Sequence, residues 1–508
     1  MSSHRRFVTS VAWSMLGNAA NNLVGFAVFA VIVRLVEPSA IGVLAFAVVF
    51  VDMGKIFVSA GVPDLIVRQK EWSDGYANMC FWLNMLVGAL SALVVVFIVG
   101  PLADINFAPG TTPILAVLAT CFLIDAARVV PESRLRRDFN YRALARRGLI
   151  ANILSGVLGI GMALTGWGIW ALVAQRVSSS LLTTILTLAA AGWAPHFKVS
   201  FTGAGSATAH GMGLAGASLL KLLTTRLPDL MLGLFLGPVP VALYRVGARG
   251  FEALFQLAVN PISSVSLSSF AQKEHEGILG QAYLSTLRVL GILIFPVFLG
   301  AAALAGHFVI LIFGPNWDDS AVVMGILCAA APAAMVSTLL HAALSAARNT
   351  KLIFSLYVVS AASTVLVLLV TIPLHGLVWS AAALAIRSYL GTVFSTILAA
   401  KTIGITATKA LRAAFPSLLS SWIMLGALLA LSTLLQNQHM LVQIPLLIAA
   451  GIAIYAFMMG IIFRRSTLAA LSGAAEIFPQ FAKLQLPAAW TKLLDRAHLR
   501  GHKAGLGS

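Results

Sequence analysis

The sequence predicts an all-α integral membrane protein with about fourteen transmembrane helices. Three observations lead to this prediction: a mean hydropathy of +0.93, a share of only 10% charged residues over 508 positions, and the length of the apolar runs. Each run has about 20 residues, which as a helix crosses the ~30 Å hydrocarbon core. The runs are too long for the short alternating strands of a β-barrel, and a soluble fold is excluded because it has no place for so much apolar surface.

The positions of the 34 Lys and Arg residues predict the orientation of these helices. Seven of the breaks between apolar runs contain no Lys or Arg; they cover residues 35–41, 101–113, 165–168, 237–241, 306–320, 373–376 and 436–443. Basic residues near span ends stay in the cytoplasm. The seven breaks are therefore predicted outer loops, which requires fourteen spans with both termini cytoplasmic. The same rule explains the net charge of +17, so nucleic acid is not implied as a partner.

The predicted spans follow the apolar runs in order. They cover residues 10–33, 41–62, 79–100, 113–130, 148–165, 168–190, 207–236, 241–263, 278–305, 320–345, 352–372, 377–400, 415–435 and 443–463. A basic tail over 464–508 carries Phe478, Phe481 and Trp490 among Lys and Arg residues, which predicts short interfacial helices on the cytoplasmic surface. The Arg-rich connector over 134–147 predicts a further short amphipathic helix on the anionic inner leaflet.

An internal repeat divides the chain. Residues 36–44 match residues 236–244 around Pro38 and Pro238, and Asp52 falls on Glu252 at the same offset of 200. Because six spans per copy preserve orientation, spans 1–6 and 7–12 are predicted to be parallel repeats. This predicts an N-terminal lobe over 1–200, a C-terminal lobe over 201–412, two further helices over 413–463 and the tail over 464–508. The two six-helix lobes would surround a central cavity.

Charged side chains inside the predicted spans make that cavity cationic. Ten bases lie there: Arg34, Lys55, Arg128, Arg176, Lys221, Arg226, Arg245, Arg249, Arg288 and Arg387. Four acids accompany them: Asp52, Asp125, Asp229 and Glu252. At about 2.5 to 3.5 kcal/mol for each charge at a helix centre, the total cost is on the order of 10 kcal/mol. The excess of bases therefore predicts an interior that attracts anions.

Two interpretations of these charges stay open. Asp52 with Lys55, Asp125 with Arg128, Arg226 with Asp229 and Arg249 with Glu252 are each three residues apart and can pair on one helix. Lys221, Arg245, Arg176, Arg288 and Arg387 have no acid at that spacing. The alternative to pairing is a substrate-binding wall, centred on spans 7 and 8. The candidate substrate-binding residues are Lys221, Arg226, Arg245, Arg249, Arg34, Arg176, Arg387 and Arg288. The candidate ion-coupling acids are Asp52, Asp229 and Glu252.

The sequence shows no sign of catalysis. A Gly-rich nucleotide-binding loop is absent, the ten histidines have no metal-type spacing, and the outer loops are short. Cys80, Cys121 and Cys328 lie apart within predicted spans and are interpreted as packing residues. We therefore predict no catalytic residues, no metal, no cofactor and no enzyme activity.

Four stretches resemble one known family. They are residues 34–42 with Pro38, the basic connector 134–147 running into 148–152, the Gly-Trp-Gly-Ile-Trp segment of 166–175, and residues 313–317, Phe-Gly-Pro-Asn-Trp. Together they resemble the polysaccharide transporter (Wzx-like) flippases of the multidrug/oligosaccharidyl-lipid/polysaccharide exporter superfamily, in particular the branch that exports exopolysaccharides of the colanic acid or succinoglycan type.

The resemblance implies a function. It implies a flippase in the bacterial inner membrane that moves an undecaprenyl-diphosphate-linked oligosaccharide repeat unit from the cytoplasmic to the periplasmic leaflet by alternating access, with an ion gradient or the membrane potential as candidate energy source. Membrane lipids are expected partners, and the polysaccharide polymerase and chain-length machinery are candidate partners. The alternatives are a lipid II-type flippase, a multidrug exporter of the same superfamily and, more distantly, a membrane-embedded glycosyltransferase or polymerase.

Overall fold

The computed structural model describes residues 3–59, 62–63, 66, 72–197, 204–468 and 470. Throughout this part of the chain the regular structure is helical and no strand occurs. Helices satisfy their own backbone hydrogen bonds, which is what a chain needs where water is excluded. The predicted all-α fold class is therefore confirmed. Most of the predicted basic tail, residues 469 and 471–508, lies outside the described residues.

The helices of the first half are long and follow the predicted spans. They are α1 Ser3–Leu35, α2 Pro38–Ser59, α3 Asp74–Val94, continued by a π-helical turn Val95–Val99 and by α4 Gly100–Asn106, then α5 Thr111–Arg137, α6 Tyr141–Leu164, α7 Ile169–Ala191, α8 Ala204–Leu236 and α9 Pro238–Ala258.

The second half continues in the same manner. Its helices are α10 Asn260–His275, α11 Leu279–Ala303, α12 Ala305–Phe313, α13 Asp318–Ala346, preceded by a 3-10 turn Pro315–Trp317, then α14 Thr350–Ala400, α15 Ala407–Leu434 and α16 Met440–Phe457, which runs on into a π-helical turn Met458–Ile462.

The two turns that define the predicted repeat have the same local structure. Helix α2 begins at Pro38 and helix α9 begins at Pro238. Proline suits the first turn of a helix because the amide hydrogen it lacks would have no partner there. Before Pro238 the chain turns at Gly237, whose φ of +83° is strained for residues with a side chain. The two turns also touch, since a Cβ on Gly42 would lie 1.8 Å from the carbonyl oxygen of Pro238.

Helix α14 is two antiparallel spans joined at Gly376. The backbone leaves helical geometry there, at φ 72° and ψ −160°. Arg387 donates to the carbonyl oxygen of Ser360 at 3.0 Å, and the Asn349 amide nitrogen lies 3.5 Å from Thr402 Oγ1. Both contacts join residues on opposite sides of Gly376, so the chain reverses where the predicted outer loop 373–376 lies.

Eleven helices in the described part of the chain are long and apolar enough to cross a membrane. Thr350–Ala400 counts as one of them despite its reversal. Helices α8 and α9 are not among the eleven, and each carries three charged side chains within the predicted spans: Lys221, Arg226 and Asp229 on α8, and Arg245, Arg249 and Glu252 on α9. The count of fourteen spans and the cytoplasmic position of the termini stay predictions.

Three expectations about the connectors are wrong. The basic connector is not a separate amphipathic helix: α5 extends to Arg137 and α6 begins at Tyr141, so its arginines belong to span ends. The eighth span ends at Ala258, and a separate helix, Asn260–His275, follows it. The predicted outer loop 306–320 contains α12, because its His-Phe-Val-Ile-Leu-Ile-Phe run is apolar enough to pack as a helix.

The chain divides into two compact units. The first comprises Met1–Leu257, Phe308–Met324 and Phe354–Arg387; the second comprises Ala258–His307, Gly325–Ile353 and Ser388–Ser508. In the first unit, a core lies between α2, α3, α5 and α7, with Phe46, Leu115 and Phe122 buried. These units do not follow the predicted lobe boundaries at 200 and 412, and the lobes stay a prediction. All three cysteines are buried, as expected of packing residues.

Candidate functional site

Helices α2, α7, α8 and α9 of the first unit meet through charged side chains. Each of the four carries an Arg or an acid on the face that it turns toward the others. On α9 the spacing brings this about, because Arg245, Arg249 and Glu252 are four and three residues apart and share one face of a helix. The charges predicted within these spans are therefore assembled in one place.

Asp52 on α2 joins three of these helices. Its Oδ1 accepts a hydrogen bond from Arg176 Nη2 of α7 at 2.8 Å, and its Oδ2 accepts one from Arg226 Nη2 of α8 at 3.0 Å. Each carboxylate oxygen thus has its own guanidinium. Charge-assisted bonds of this kind are about twice as strong as neutral ones, so Asp52 holds α7 and α8 against α2.

Asp229 and Glu252 extend this arrangement to α9. Arg226 Nη1 lies 3.3 Å and Arg245 Nη1 lies 3.6 Å from Asp229 Oδ2. Arg245 also forms a two-pronged pair with Glu252, at 3.0 Å and 3.2 Å, and Arg249 Nη1 lies 3.7 Å from the same carboxylate. The result is the central ion-pair chain, which runs in the order Arg176, Asp52, Arg226, Asp229, Arg245, Glu252, Arg249.

The central ion-pair chain is buried in its middle and open at its ends. The Asp229 side chain is 1% exposed and Arg245 is 14% exposed, whereas Arg176 is 36% and Arg249 is 29% exposed. With four arginines and three acids it carries an excess of one positive charge. In addition, Arg176 Nε and Asp229 Oδ1 are buried without a hydrogen-bond partner among the described residues. The arrangement therefore has unused capacity to bind an anion at one position and a cation or proton at another.

The open end at Arg249 faces helix α1. Its guanidinium carbon lies 5.8 Å from the centre of the Phe29 ring, close enough for a cation–π contact. A small cleft beside it is lined by Asn22 and Phe26 of α1 and by Gln256 of α9. Amide groups can contact a polar ligand without adding charge. The central ion-pair chain thus ends at a small, mostly apolar cleft that has two amide side chains, Asn22 and Gln256, in its wall.

One pairing expected from sequence is wrong, and one base expected to lack a local acid is paired. Asp52 does not pair with Lys55, whose Nζ lies 2.7 Å from Asp125, and Arg245, which has no acid three residues away, pairs with Glu252 and Asp229. For Asp52 and Lys55, neighbouring helices offer closer partners than the same helix does. The pairs Asp125 with Arg128, Arg226 with Asp229 and Arg249 with Glu252 are confirmed.

The other candidate bases lie apart from the central ion-pair chain. Arg387 donates to Ser360 Oγ and Ser363 Oγ, both at 3.1 Å, and its Nε is buried without a hydrogen-bond partner in the described part of the chain. Lys221 on α8 is exposed and has no ion-pair partner among the described residues. Neither base has an acid to neutralise it there, so both are suited to a ligand anion.

Arg34 and Arg288 are placed differently. Arg34 Nε donates to the carbonyl oxygen of Ile312 at 2.8 Å, and its Nη2 donates to that of Leu311. These carbonyls end helix α12, so Arg34 caps that helix. Arg288 belongs to the second unit and has no ion-pair partner among the residues that the structure describes.

Sequence reasoning missed a second group of charges in the first unit. We call it the inner ion-pair cluster, formed by Lys55, Asp125, Arg128, Glu132, Arg136 and Arg147. Glu132 lies 2.8 Å from Arg147 Nη2 and 2.7 Å from Arg136 Nη2, and Arg128 contacts both acids, so it is not a lipid-facing anchor. The spacing of four between Arg128, Glu132 and Arg136 was the available signal.

Among the described residues no group of His, Cys, Asp and Glu is arranged to hold a metal ion.

The sequence of the chain is similar to those of proteins in bacterial polysaccharide biosynthesis. Residues 31–322, more than half of the chain, match a family described as polysaccharide biosynthesis protein. The succinoglycan biosynthesis transport protein ExoT of Rhizobium meliloti (strain 1021) is 25% identical over 63% of this chain and 65% of that protein. The lipopolysaccharide biosynthesis protein WzxC of Escherichia coli (strain K12) is 23% identical over 65% of this chain and 67% of that protein. The chain thus spans about two thirds of the length of these curated relatives.

The fold is similar to that of a solved flippase. The lipid II flippase MurJ in an inward closed conformation superposes with a TM-score of 0.71 at 13% identity, covering 90% of this chain and 99% of that one. At an identity this low, the similarity is evidence for the fold and for nothing further. The similarity supports a helical transporter fold for most of the chain.

Proposed function

The chain belongs to the polysaccharide biosynthesis protein family, as the resemblance predicted, and from this membership we propose that it is a transporter, a flippase for a lipid-linked oligosaccharide. In this proposal the substrate is an undecaprenyl-diphosphate-linked exopolysaccharide repeat unit, moved from the cytoplasmic to the periplasmic leaflet of the inner membrane. Names of relatives that refer to succinoglycan and lipopolysaccharide support a substrate of this class.

The observation that carries the proposal is the excess of positive charge in the central ion-pair chain. Four arginines face three acids within helices that we predict to span the membrane. A charge left without a counter-ion in a membrane costs several kcal/mol, and a diphosphate passing through would supply one. Arginine binds phosphate through two parallel N–H bonds, which favours arginine over lysine at such a site. The same excess disfavours a multidrug exporter for cationic drugs.

In this proposal a diphosphate binds the arginines of the central ion-pair chain in place of the acids that now pair with them. A diphosphate reaching Arg176 or Arg249, the exposed ends, would take over the hydrogen bond that Asp52 now accepts from Arg176 or the ion pair that Glu252 now forms with Arg249. Arg387 and Lys221 would add unpaired charge. The sugars, whose hydroxyls cannot cross hydrocarbon unpaired, would pass through the polar interior while the polyprenyl tail stays in lipid. The protein would alternate between states open to the cytoplasm and to the periplasm.

Asp52, Asp229 and Glu252 remain our candidates for ion coupling. Of the three, Asp229 fits best, because both of its arginine contacts go to Oδ2 and its buried Oδ1 has no hydrogen-bond partner in the described structure. A proton or small cation at Oδ1 would loosen the hold of Asp229 on Arg226 and Arg245. Those arginines would then be available to the diphosphate, which couples the two events.

A deletion strain tests the function directly. Loss of the gene should remove surface polysaccharide and leave the undecaprenyl-linked repeat unit on the cytoplasmic face, measured by mass spectrometry of the extracted lipid and by its resistance to an external glycosidase. Restoring the wild-type gene is the control. Normal polymer on a strain without a related transporter would contradict the proposal, and loss of viability with accumulated lipid II would favour the lipid II-type alternative. An interaction with the polymerase and chain-length machinery stays a prediction.

A further inference from the structure

A polar recess in the first unit is lined by none of the residues of the central ion-pair chain. It lies beside the ends of three helices. It has a volume of about 490 Å³ and is lined by Trp72, Asp74, Asn78, Arg134, Trp193 and His196. We call it the aromatic cleft. These residues come from the start of α3, the end of α5 and the segment after α7, all at the predicted cytoplasmic ends of their spans. Pockets of about 300 to 1,000 Å³ are usual for small ligands.

Asp74 organises the two tryptophans of the aromatic cleft. Its Oδ1 accepts hydrogen bonds from Trp72 Nε1 at 2.6 Å and from Trp193 Nε1 at 3.3 Å. The two rings stand edge to face, with centres 6.3 Å apart. A carboxylate that accepts a hydrogen bond from each of two indoles keeps their apolar surfaces in a set orientation. The second oxygen, Oδ2, has no hydrogen-bond partner among the described residues and is left to accept from a ligand.

Further donors and acceptors line the aromatic cleft. Arg134 places its guanidinium 5.2 Å from the centre of the Trp72 ring, so the ring holds the donor in position. His196 Nδ1 lies 2.9 Å from the carbonyl oxygen of Ala194, to which it donates, and Nε2 is therefore an acceptor. The Asn78 side chain, 3% exposed, accepts from the His196 amide and fixes that segment.

The charge balance of the aromatic cleft differs from that of the central ion-pair chain. Among the residues that line the cleft, one carboxylate, Asp74, stands against one guanidinium, Arg134, so the formal charges of the lining cancel; Arg137, 6.0 Å from the centre of the Trp72 ring, lies outside the lining. An anion would meet the Asp74 carboxylate, and a lipid tail would bury the polar atoms of Asp74 and His196 without partners, which is unfavourable because these groups would lose their hydrogen bonds to water. A neutral ligand rich in hydroxyls satisfies the donor and the acceptors together, and the indoles provide apolar surface for its C–H groups.

We propose that the aromatic cleft binds a neutral sugar ring of the lipid-linked oligosaccharide at the cytoplasmic face, with hydroxyls on Asp74, Arg134 and His196. This inference rests on the proposed function for the source of the sugar. The cleft would hold the sugar portion of the substrate, and the central ion-pair chain would hold the diphosphate. A site for each part selects the complete glycolipid over the bare lipid diphosphate.

Saturation-transfer NMR on the purified full-length protein in nanodiscs tests the site. The probes are methyl β-glucopyranoside and methyl β-galactopyranoside, with inorganic pyrophosphate and glucuronate as anionic comparators. We expect transfer to at least one neutral glycoside and none of its signal displaced by pyrophosphate. Asp74→Asn keeps an oxygen for the indoles and should weaken glycoside binding by about fivefold, the effect of one hydrogen bond of about 1 kcal/mol; Trp72→Ala should abolish the binding.

The control is Trp167→Ala, because Trp167 is an exposed tryptophan of the same unit at a predicted outer turn; it should leave glycoside binding unchanged. If Trp72→Ala does not fold, His196→Ala replaces it and is expected to weaken binding by about fivefold for the same reason. Preferential binding of pyrophosphate or of anionic lipid, or unchanged glycoside binding in Asp74→Asn and His196→Ala, would overturn the proposal.

The binding assay tests the sugar site and the export assay tests the flippase function, so each proposal can be refuted independently of the other. Glycoside binding by a protein whose deletion leaves surface polymer intact would refute the flippase function and keep the sugar site. Impaired binding with full export in Asp74→Asn would overturn the assignment of the sugar to the transported lipid. Reduced export in Asp74→Asn, with binding reduced in parallel and protein abundance normal, is the expected result.

Discussion

The central ion-pair chain and the inner ion-pair cluster use the same residue types and differ in how their charges are distributed over the helices. In the inner ion-pair cluster, Glu132 contacts three arginines, and Arg147 is only 8% exposed and also bonds to Thr187. In the central ion-pair chain, each acid contacts two bases and the end arginines are open. An excess of basic residues therefore does not by itself identify a binding site. The inner ion-pair cluster also has an exposed arginine, Arg136, and an unused donor, Arg147 Nε. What distinguishes the central ion-pair chain is its placement, because it connects four helices within the predicted spans, whereas four of the six members of the inner ion-pair cluster lie on α5.

The largest effect that we expect from a single substitution is at Glu132 of the inner ion-pair cluster. Glu132→Ala leaves the buried Arg147 and the half-exposed Arg136 without an acid, and leaves Arg128 with Asp125 alone. Removing one partner of a buried ion pair costs about 3 to 5 kcal/mol, so the protein should lose most of its folded, monodisperse fraction. Fluorescence-detected gel filtration during heating measures this. The matched control is Glu37→Ala, an exposed acid of the same unit; a similar loss there would contradict the assigned role of the inner ion-pair cluster.

Arg245 tests whether folding and transport can be separated in the central ion-pair chain. Arg245→Ala leaves Asp229 and Glu252 each with one arginine fewer. The protein should be less stable by about 3 kcal/mol, so both its abundance and its export should fall. The double variant Arg245→Ala/Glu252→Ala removes one stranded acid but leaves Arg249 without its acid, so abundance should recover in part while export stays lost. Arg245→Lys keeps the charge without the planar fork and should retain partial export.

Export and membrane abundance are measured in the same cells, by surface polysaccharide and by immunoblot. Wild-type export by Arg245→Ala at normal abundance would remove Arg245 from the proposed substrate contacts. Recovery of export in the double variant would instead show that Arg245 serves only to neutralise Glu252.

Lys221 gives the cleanest measurement of substrate contact. It has no ion-pair partner among the described residues and is exposed, so Lys221→Ala strands no acid. We expect normal abundance and an export rate lower by about tenfold or more, since a hydrogen bond to a charged group contributes about 1.5 to 3 kcal/mol. Lys409→Ala, an exposed lysine elsewhere in the chain, is the control and should export normally. Equal export by both variants would move the anion site toward Arg176 and Arg387.

Arg34 should show the smallest effect. Its guanidinium bonds to two backbone carbonyls at the end of α12, so Arg34→Ala should lower stability by about 1 kcal/mol and leave export near the wild-type rate. Arg34→Lys should restore part of the stability, because Lys also interacts favourably with a helix C-terminus. The midpoint of thermal unfolding and the export assay decide. Loss of export at unchanged stability would return Arg34 to the substrate-binding residues.

Much of the fold was predictable because membrane helices are encoded locally. Hydrocarbon thickness sets the length of an apolar run, so predicted spans such as 168–190 and 207–236 agree with helices Ile169–Ala191 and Ala204–Leu236 to within three residues at each end. The Pro38 and Pro238 turns were equally local. Helix Ala305–Phe313 was missed because its nine residues, most of them apolar, are too few for the pattern of a span.

The identity of the membrane charges was determined by the sequence, and their partners were decided by the tertiary structure. Spacing along one helix predicted Arg226 with Asp229 and Arg249 with Glu252, which are confirmed. It could not predict that Asp52 binds Arg176, 124 residues away, or Arg226, 174 residues away. The same limit hid the Arg147 contact with Glu132 and the meeting of Trp72, Asp74 and Trp193. Helix packing decides such contacts, because a charge in a low-dielectric interior pairs with whichever opposite charge the fold brings nearest.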